Sequence, residues 1–220
     1  MTSNGTSLRA IVFDFDGVIL ESADVKTEAF VELYAEHGPG VVEQVRAHHL
    51  ANLGLSRFKK FEWIAENVLG APLTDAERAR LGDRFSELAL EKVLAAEFVA
   101  GAEAALARLA TRYLLFVASG TPQDELMLIV ERRGLATRFR EVHGTPTEKP
   151  QILRDIMTRH ELAPCEVLFV GDGLTDHKAA AATGVEFLAR DTVPFHDEWV
   201  RLGVRREPDL QRLPEFAAAW

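Results

Sequence analysis

Asp14 and Asp16 stand one residue apart at the end of an apolar run, in the segment RAIVFDFDGVILES at residues 9–22, with Gly17 directly behind them. Two carboxylates that close repel each other and destabilise a fold unless something compensates, and a divalent cation does so most directly. Strand alternation would send both side chains to one face, and Gly17 would let the chain turn away from the sheet end at once. A pair held in that way suits a nucleophile and a proton-transfer partner acting on one reacting group.

Three further segments deliver polar groups at the ends of apolar runs. Ser119, Gly120 and Thr121 follow residues 113–118, Lys149 precedes Pro150, and Asp172 and Asp176 follow residues 167–170. Each also has a plainer reading. Ser119 or Thr121 could cap a helix starting at Pro122, Lys149 could be a solvated loop lysine, Asp172 a turn former, and Asp176 a charge set against a helix dipole. Their common placement after strands favours one shared edge.

The elements that must position them form strand, loop, helix units. β-rich runs occur at 8–13, 113–118, 167–170 and 185–189, and helical patterns separate the last three. This predicts an α/β fold: a doubly wound parallel sheet covered on both faces, with ligands bound beyond the carboxyl ends of the strands. Pro122 and Pro150 start helices, carrying Leu126, Ile129 and Val130 in one case and Ile152, Leu153 and Ile156 in the other. The residue before a proline is biased toward extended backbone, which predicts Lys149 off the helix and free to reach inward. Gly184 closes an alanine-rich helix, and a short helix ends the chain after Asp209.

Residues 21–97 differ in texture, with four amphipathic helical patterns and no strand-like run. We read them as a helical domain inserted into a core made of 1–20 and 98–220. One pattern uses Phe58, Phe61, Ala65 and Val68, which would put Lys59 and Trp63 on the opposite face. Another starts at a capping box, Thr74 to Glu77. His48 and His49 point about a hundred degrees apart on a helix and are read as ordinary residues of this domain.

With 25 Lys and Arg against 34 Asp and Glu, the net charge of −9 disfavours nucleic acid as a partner. The first residues lack a basic segment followed by an apolar one, so neither a secretion signal nor a membrane span is predicted, and the expected location is the cytoplasm. The single cysteine, Cys165, excludes an internal disulfide and is expected to be inert packing beside the apolar run that follows it.

The ordered set DFDGVI, ASGTP, lysine before proline, and VGDGLTD resembles the haloacid dehalogenase superfamily, specifically its phosphatase branch, with the helical insertion where that family places its cap. The resemblance implies that Asp14 forms an aspartyl phosphate and that Asp16 protonates the leaving oxygen and later activates water. It implies that Ser119 and the Gly120 amide hold phosphoryl oxygens, with Thr121 beside them, while Lys149 neutralises charge and steadies Asp14. Magnesium would be bound by Asp14, Asp172 and the backbone carbonyl of Asp16, with Asp176 nearby. Phosphoryl transfer spreads negative charge over three equatorial oxygens, so a cation, a lysine and backbone donors around it are physically apt.

Members that cleave carbon–halogen bonds lack an acid two residues after the nucleophile, and those that cleave phosphonates have a small residue there. Asp16 therefore favours a phosphate monoester. The cap stretch GLSRFKKF, residues 54–61, is similar to that of sugar-phosphate mutases and their phosphatase relatives, which implies that Arg57 contacts the distal part of the substrate. Lys59 is a second candidate substrate contact. The mutases carry a histidine where this chain has Lys26 and an acid pair in place of Gly-Asp-Gly, so hydrolysis is favoured over mutase activity. A receiver-type phospho-acceptor domain is disfavoured by length and by motif order, and a binding protein without turnover by the intact polar set. The expected partner is a small phosphorylated metabolite, and the expected state a monomer or homodimer.

Overall fold

A computed structural model of the chain describes residues 7–53 and 55–220. The first six residues and Gly54, the start of the cap motif, lie outside the described residues. At its centre are β1 (Ala10–Phe13), β2 (Leu114–Pro122), β3 (Glu141–Thr145), β4 (Val167–Gly171), β5 (Glu186–Arg190) and β6 (Arg206–Glu207). They form one six-stranded sheet in the order β3-β2-β1-β4-β5-β6, with every pairing parallel. The fold is α/β and doubly wound.

Alternation along the central strands fills two cores. Ile11, Phe13, Leu115, Val117, Leu168 and Val170 face the core shared with α5 (Ala102–Leu109), α6 (Gln123–Arg132) and α10 (Leu213–Ala218). Ala10, Val12, Phe116, Ala118, Val167 and Phe169 face the opposite core, packed by α7 (Lys149–Arg159), α8 (Leu174–Thr183) and α9 (His196–Leu202). Burial on both sides is why these strands are continuously apolar. The chain runs from β1 outward through β2 and β3, then returns to β4 on the other flank, so the switch in winding direction falls between β1 and β4.

Two strands escaped the sequence pattern for one reason. β3 and β6 are the edge strands, and both are polar: EVHGT and RE. With one neighbour each they need less apolar surface, so the signal that marks the inner strands is absent.

The helical insertion comprises α1 (Ala23–Leu33), α2 (Pro39–Ala51), α3 (Arg57–Ile64) and α4 (Asp75–Ala95). It has its own core, built on Phe30, Tyr34, Val45, Phe61, Ile64, Phe85 and Ala89. The Thr74–Glu77 box opens α4: the Thr74 amide donates to Glu77 Oε2 at 2.9 Å and the Glu77 amide to Thr74 Oγ1 at 3.3 Å.

The helical wheel drawn from the sequence is rotated relative to the buried face of α3. That face is Arg57, Lys60, Phe61 and Ile64, spaced i, i+3, i+4, i+7, whereas Phe58 is only half-buried. A π turn over Ala65–Leu69 then breaks the 3.6-residue period on which the projection to Val68 depended. Cys165 is a further correction. It is exposed, because it occupies the turn before β4 rather than the strand itself. Among the described residues, no helix is long and apolar enough to cross a membrane.

Candidate active site

Sheet pairing stops at Phe13, although the Asp14 amide still donates to the Val170 carbonyl at 2.8 Å. Asp14 therefore lies at the carboxyl end of β1, on the side of β4. Asp16 reaches the site through a tight turn and not through strand alternation. The Phe15 carbonyl accepts from the Ile19 amide at 2.9 Å and the Leu20 carbonyl from the Gly17 amide at 2.8 Å. Gly17 has φ +75°, and a Cβ there would lie 2.2 Å from Asp172 Oδ2, so only glycine lets this turn pass the carboxylate. Arg190, at the end of β5, donates to the Gly17 carbonyl at 2.9 Å and pins the turn from outside.

Asp172 and Asp176 follow β4, across the switch point from Asp14. Carboxylate oxygens of Asp14, Asp172 and Asp176 all lie within 4.8 Å of one another, and all three residues are buried. Lys149 Nζ lies 2.9 Å from Asp14 Oδ2 and also donates to Asp176 Oδ1. The Phe15 amide donates to Asp14 Oδ1 at 2.7 Å and the Gly173 amide to Asp176 Oδ2 at 3.1 Å. Among the described residues no protein donor reaches the Asp172 carboxylate.

Burial pushes the Asp14 carboxyl above its ordinary range, with Lys149 opposing. Burial, Asp14 and Asp176 push Asp172 well above it. Burial alone would lower Lys149, but Asp14 and Asp176 overcome it and hold its pKa above the ordinary lysine value. Three dry carboxylates sharing one ammonium carry excess negative charge. An all-oxygen donor set with one member lacking a protein partner fits a hard divalent cation, and the trio could hold one.

Lys149 corrects a detail of the sequence reading. It is the first residue of α7 rather than a loop residue, because the Glu148 carbonyl accepts from the Gln151 and Ile152 amides at 2.9 and 3.0 Å and winds residues 149 and 150 into the first turn. Pro150 is tolerated there since its missing N–H would have had no helical partner.

Asp16 belongs to a second network. Its Oδ1 accepts from Ser22 Oγ at 2.6 Å, and its Oδ2 accepts from Thr121 Oγ1 at 2.8 Å and is ion-paired with Lys26. Lys26 also lies 2.7 Å from Thr121 Oγ1. Burial pushes the Asp16 carboxyl up, but Lys26 and the two hydroxyls together override it and keep it below the usual carboxylate range. Ser119 is buried and is held by Thr121, whose amide donates to Ser119 Oγ at 3.1 Å.

Asp14, Asp16, Asp172, Gly120 and Thr121 line a small, partly open cavity of ≈ 50 Å³ between core and helical insertion. A wider groove of ≈ 920 Å³ lies outside it, lined by Ser119, Lys149, Lys59 and Glu148, with Gly120 common to both. The two cation candidates of the insertion part company here. Arg57 is buried on the cavity wall, but its guanidinium is tied up: Nη2 donates to Glu125 Oε1 at 2.6 Å and Nη1 to Ser86 Oγ at 2.7 Å. Lys59 is exposed, pairs with Glu148 and lines only the outer groove. The neighbour that does reach the cavity is Lys60, with His49 and Lys26.

Sequence reasoning missed these three. Lys60 was detectable, since it shares the i, i+3, i+4, i+7 face of Arg57, Phe61 and Ile64, and Lys26 lies one turn from Phe30 on the buried side of α1. Nothing in the pattern singled out which histidine faces inward. Trp63 stacks on His48 at 3.7 Å between ring centroids and remains partly exposed.

A doubly wound sheet whose switch point presents buried carboxylates and a lysine, covered by a helical insertion, places its polar cluster where sheets of this class bind ligands. A protein-family profile of haloacid dehalogenase-like hydrolases matches residues 8–184, and the chain belongs to that family. It is 27% identical over 183 residues to a phosphoglycolate phosphatase of Synechococcus elongatus, covering 81% of each chain. It is 27% identical over 185 residues to a phosphoglycolate phosphatase of Rhodospirillum rubrum, covering 80% of this chain and 77% of that one. In fold it is similar to a β-phosphoglucomutase-like protein of Bacteroides vulgatus, with TM-score 0.80 at 18% identity, covering 98% of this chain and 91% of the other.

Proposed function

We propose that this phosphatase hydrolyses a small-molecule phosphate monoester with magnesium, through an aspartyl-phosphate intermediate on Asp14. The single observation that carries the reading is the convergence of Asp14, Asp172, Asp176 and Lys149 at the switch point, with Asp16 on its own donors beside them. Asp14, Asp172 and Asp176 would hold the cation, which when bound supplies charge that screens the attacking carboxylate from the phosphate.

Asp14 attacks phosphorus, and the bond from phosphorus to the ester oxygen breaks. Lys149, pinned between Asp14 and Asp176, orients the nucleophile and offsets charge on the transferring oxygens. The Ser119 hydroxyl and Gly120 amide take the remaining oxygens. Water then attacks the aspartyl phosphate, giving phosphate and regenerating Asp14. Asp16, kept ionised by Lys26, Ser22 and Thr121, is in the form that accepts the proton from that water. To serve the leaving oxygen in the first step, the same group would first take up a proton from solvent before the cleft closes; it gives that proton to the leaving oxygen and, ionised again, accepts one from the water of the second step. Residues 21–97 act as a cap that closes over the core of 1–20 and 98–220 and excludes bulk water, with Glu21–Arg190, Lys26–Asp16, Arg57–Glu125 and Lys59–Glu148 as ionic links to the core.

The names of the relatives put phosphoglycolate first in a substrate panel. The decisive experiment is phosphate release by wild type and Asp14→Asn with magnesium. The variant should keep the wild-type circular dichroism spectrum and lose at least about 10⁴-fold in kcat. Retained turnover would remove Asp14 as nucleophile.

A further inference from the structure

Asp16 stands beyond the end of the sheet, so something else must hold the turn that carries it. Pairing of β1 with its neighbours ends at Phe13, and the bonds that shape residues 15–20 are internal: the Phe15 carbonyl accepts from the Ile19 amide and the Leu20 carbonyl from the Gly17 amide. Internal bonds fix the shape of a turn and leave its placement against the rest of the molecule to contacts from outside. Among the described residues, the one group outside 14–22 that bonds the backbone of residues 15–18 is Arg190, whose Nη1 donates to the Gly17 carbonyl at 2.9 Å.

The guanidinium is itself fixed from two further directions. Nη1 and Nη2 donate to the two carboxylate oxygens of Glu21 at 2.9 and 2.6 Å, and Nε donates to the Pro208 carbonyl at 3.2 Å. A planar fork locked by a bidentate carboxylate aims its remaining hydrogen in one direction, here at Gly17. Both anchors lie where the insertion joins the core. The Glu21 amide donates to the Glu97 carbonyl at 2.9 Å, so the two joining segments are bonded to each other, and two residues beyond Pro208 the Leu210 amide donates to the Ala100 carbonyl at 3.0 Å. The turn has little room to settle elsewhere, since a Cβ at Gly17 would lie 2.2 Å from Asp172 Oδ2. An arginine needed only to close this edge of the molecule would be served by Glu21 and Pro208 alone.

Resting on the phosphatase reading above, we propose that Arg190 is a positioning residue for proton transfer: through the Gly17 carbonyl it holds Asp16 in reach of the leaving oxygen, and Glu21 sets the guanidinium that does so. As the bond from phosphorus to the ester oxygen breaks, the Asp16 carboxyl gives that oxygen its proton, and Arg190 touches neither group. Its loss lets the turn drift and impairs that transfer. Attack by Asp14, which has its own bonds to Val170 and Lys149, is unaffected. A lysine at this position keeps the charge beside Glu21 but lacks the fork, so it does not restore the placement.

The test reads kcat/KM, which reports the step in which the ester oxygen leaves, for p-nitrophenyl phosphate and for the alkyl phosphate that wild type hydrolyses fastest, with magnesium. Arg190→Lys should lose about 30-fold on the alkyl ester and under about threefold on the aryl ester, whose oxygen leaves without a proton. With Asp16→Asn already in place, the same substitution should cost under about twofold on either ester, because the residue it positions is gone. Equal losses on the two esters overturn the proposal, as does an undiminished loss in the Asp16→Asn background or a wild-type rate on both esters. If Arg190→Lys does not fold by circular dichroism, Glu21→Gln, which leaves the arginine but loosens its aim, is read in the same way. If wild type releases phosphate from aryl esters alone, the leaving oxygen receives no proton and this inference falls by itself. If it releases phosphate from no ester, the phosphatase reading falls and this inference with it.

Discussion

The two walls of the cleft treat charge differently. On the core wall Lys149 is fixed between Asp14 and Asp176, and the Asp16 carboxylate is held by Thr121 from the core and by Ser22 and Lys26 from the insertion. On the cap wall Lys26 and Arg57 find their carboxylates only by crossing to Asp16 and to Glu125 on α6, and Lys60 has no carboxylate partner among the described residues. A satisfied network is rigid and defines one chemistry. An unsatisfied one leaves a buried cation whose lost hydration no carboxylate offsets.

The core wall is tested most severely by Asp16→Asn. It should reduce kcat about 10³-fold on an alkyl phosphate and less on an aryl phosphate, whose oxygen leaves without help. Equal losses on the two esters would deny Asp16 its proton-transfer role. Arg57→Met probes the crossing between walls. It leaves Glu125 buried with only Ser86 as a donor and should lower stability by about 3 kcal/mol in urea denaturation. A loss under about 1 kcal/mol would mean that the ion pair is no latch.

On the cap wall the sign of a pH effect separates an unmatched lysine from a paired one. Folded, Lys60 gives up its proton near 7, while in the unfolded chain it keeps it to 10.5. Across that window the unfolded state binds the extra proton, so raising pH favours the folded state. Lys26, Asp16, Asp172, Lys149 and His49 are the charged or titratable groups around it, and they are common to both proteins compared. Without metal, wild type should gain about 2 kcal/mol on Lys60→Met between pH of about 7 and about 9. A difference that stays constant with pH would mean that Lys60 is not desolvated. The smallest effect lies far from either wall: Thr74→Ala removes the cap of α4 and should cost about 1 kcal/mol in denaturation without altering turnover.

How much of this was legible in the sequence divides along the same line. The inner strands, the helix that Pro150 opens, the capping box and the carboxylates after the strands depend on local pattern, and local pattern is what a single sequence displays. Ser119, Gly120, Thr121 and Pro122 instead form the end of β2 itself, and α6 starts at Gln123. The edge strands β3 and β6 were illegible because one-sided pairing demands few apolar residues. The buried face of α3 was only partly legible: Phe61 and Ala65 are buried and Lys59 and Trp63 exposed as the wheel implied, but Arg57, Lys60 and Ile64 share the buried face while Phe58 and Val68 are half-buried.

Residue types and spacing determined by themselves that carboxylates and hydroxyls would stand at the ends of apolar strands and a lysine just ahead of a helix-opening proline, because strand periodicity and turn chemistry act within a few residues. Only the tertiary structure decided which charges meet. Lys26 and Asp16 are ten residues apart, Arg57 and Glu125 sixty-eight, and Lys149 and Asp176 twenty-seven. Ion pairing acts over a few ångströms of space whatever the distance along the chain, so the charge left unmatched, Lys60, becomes visible only once the helices are packed.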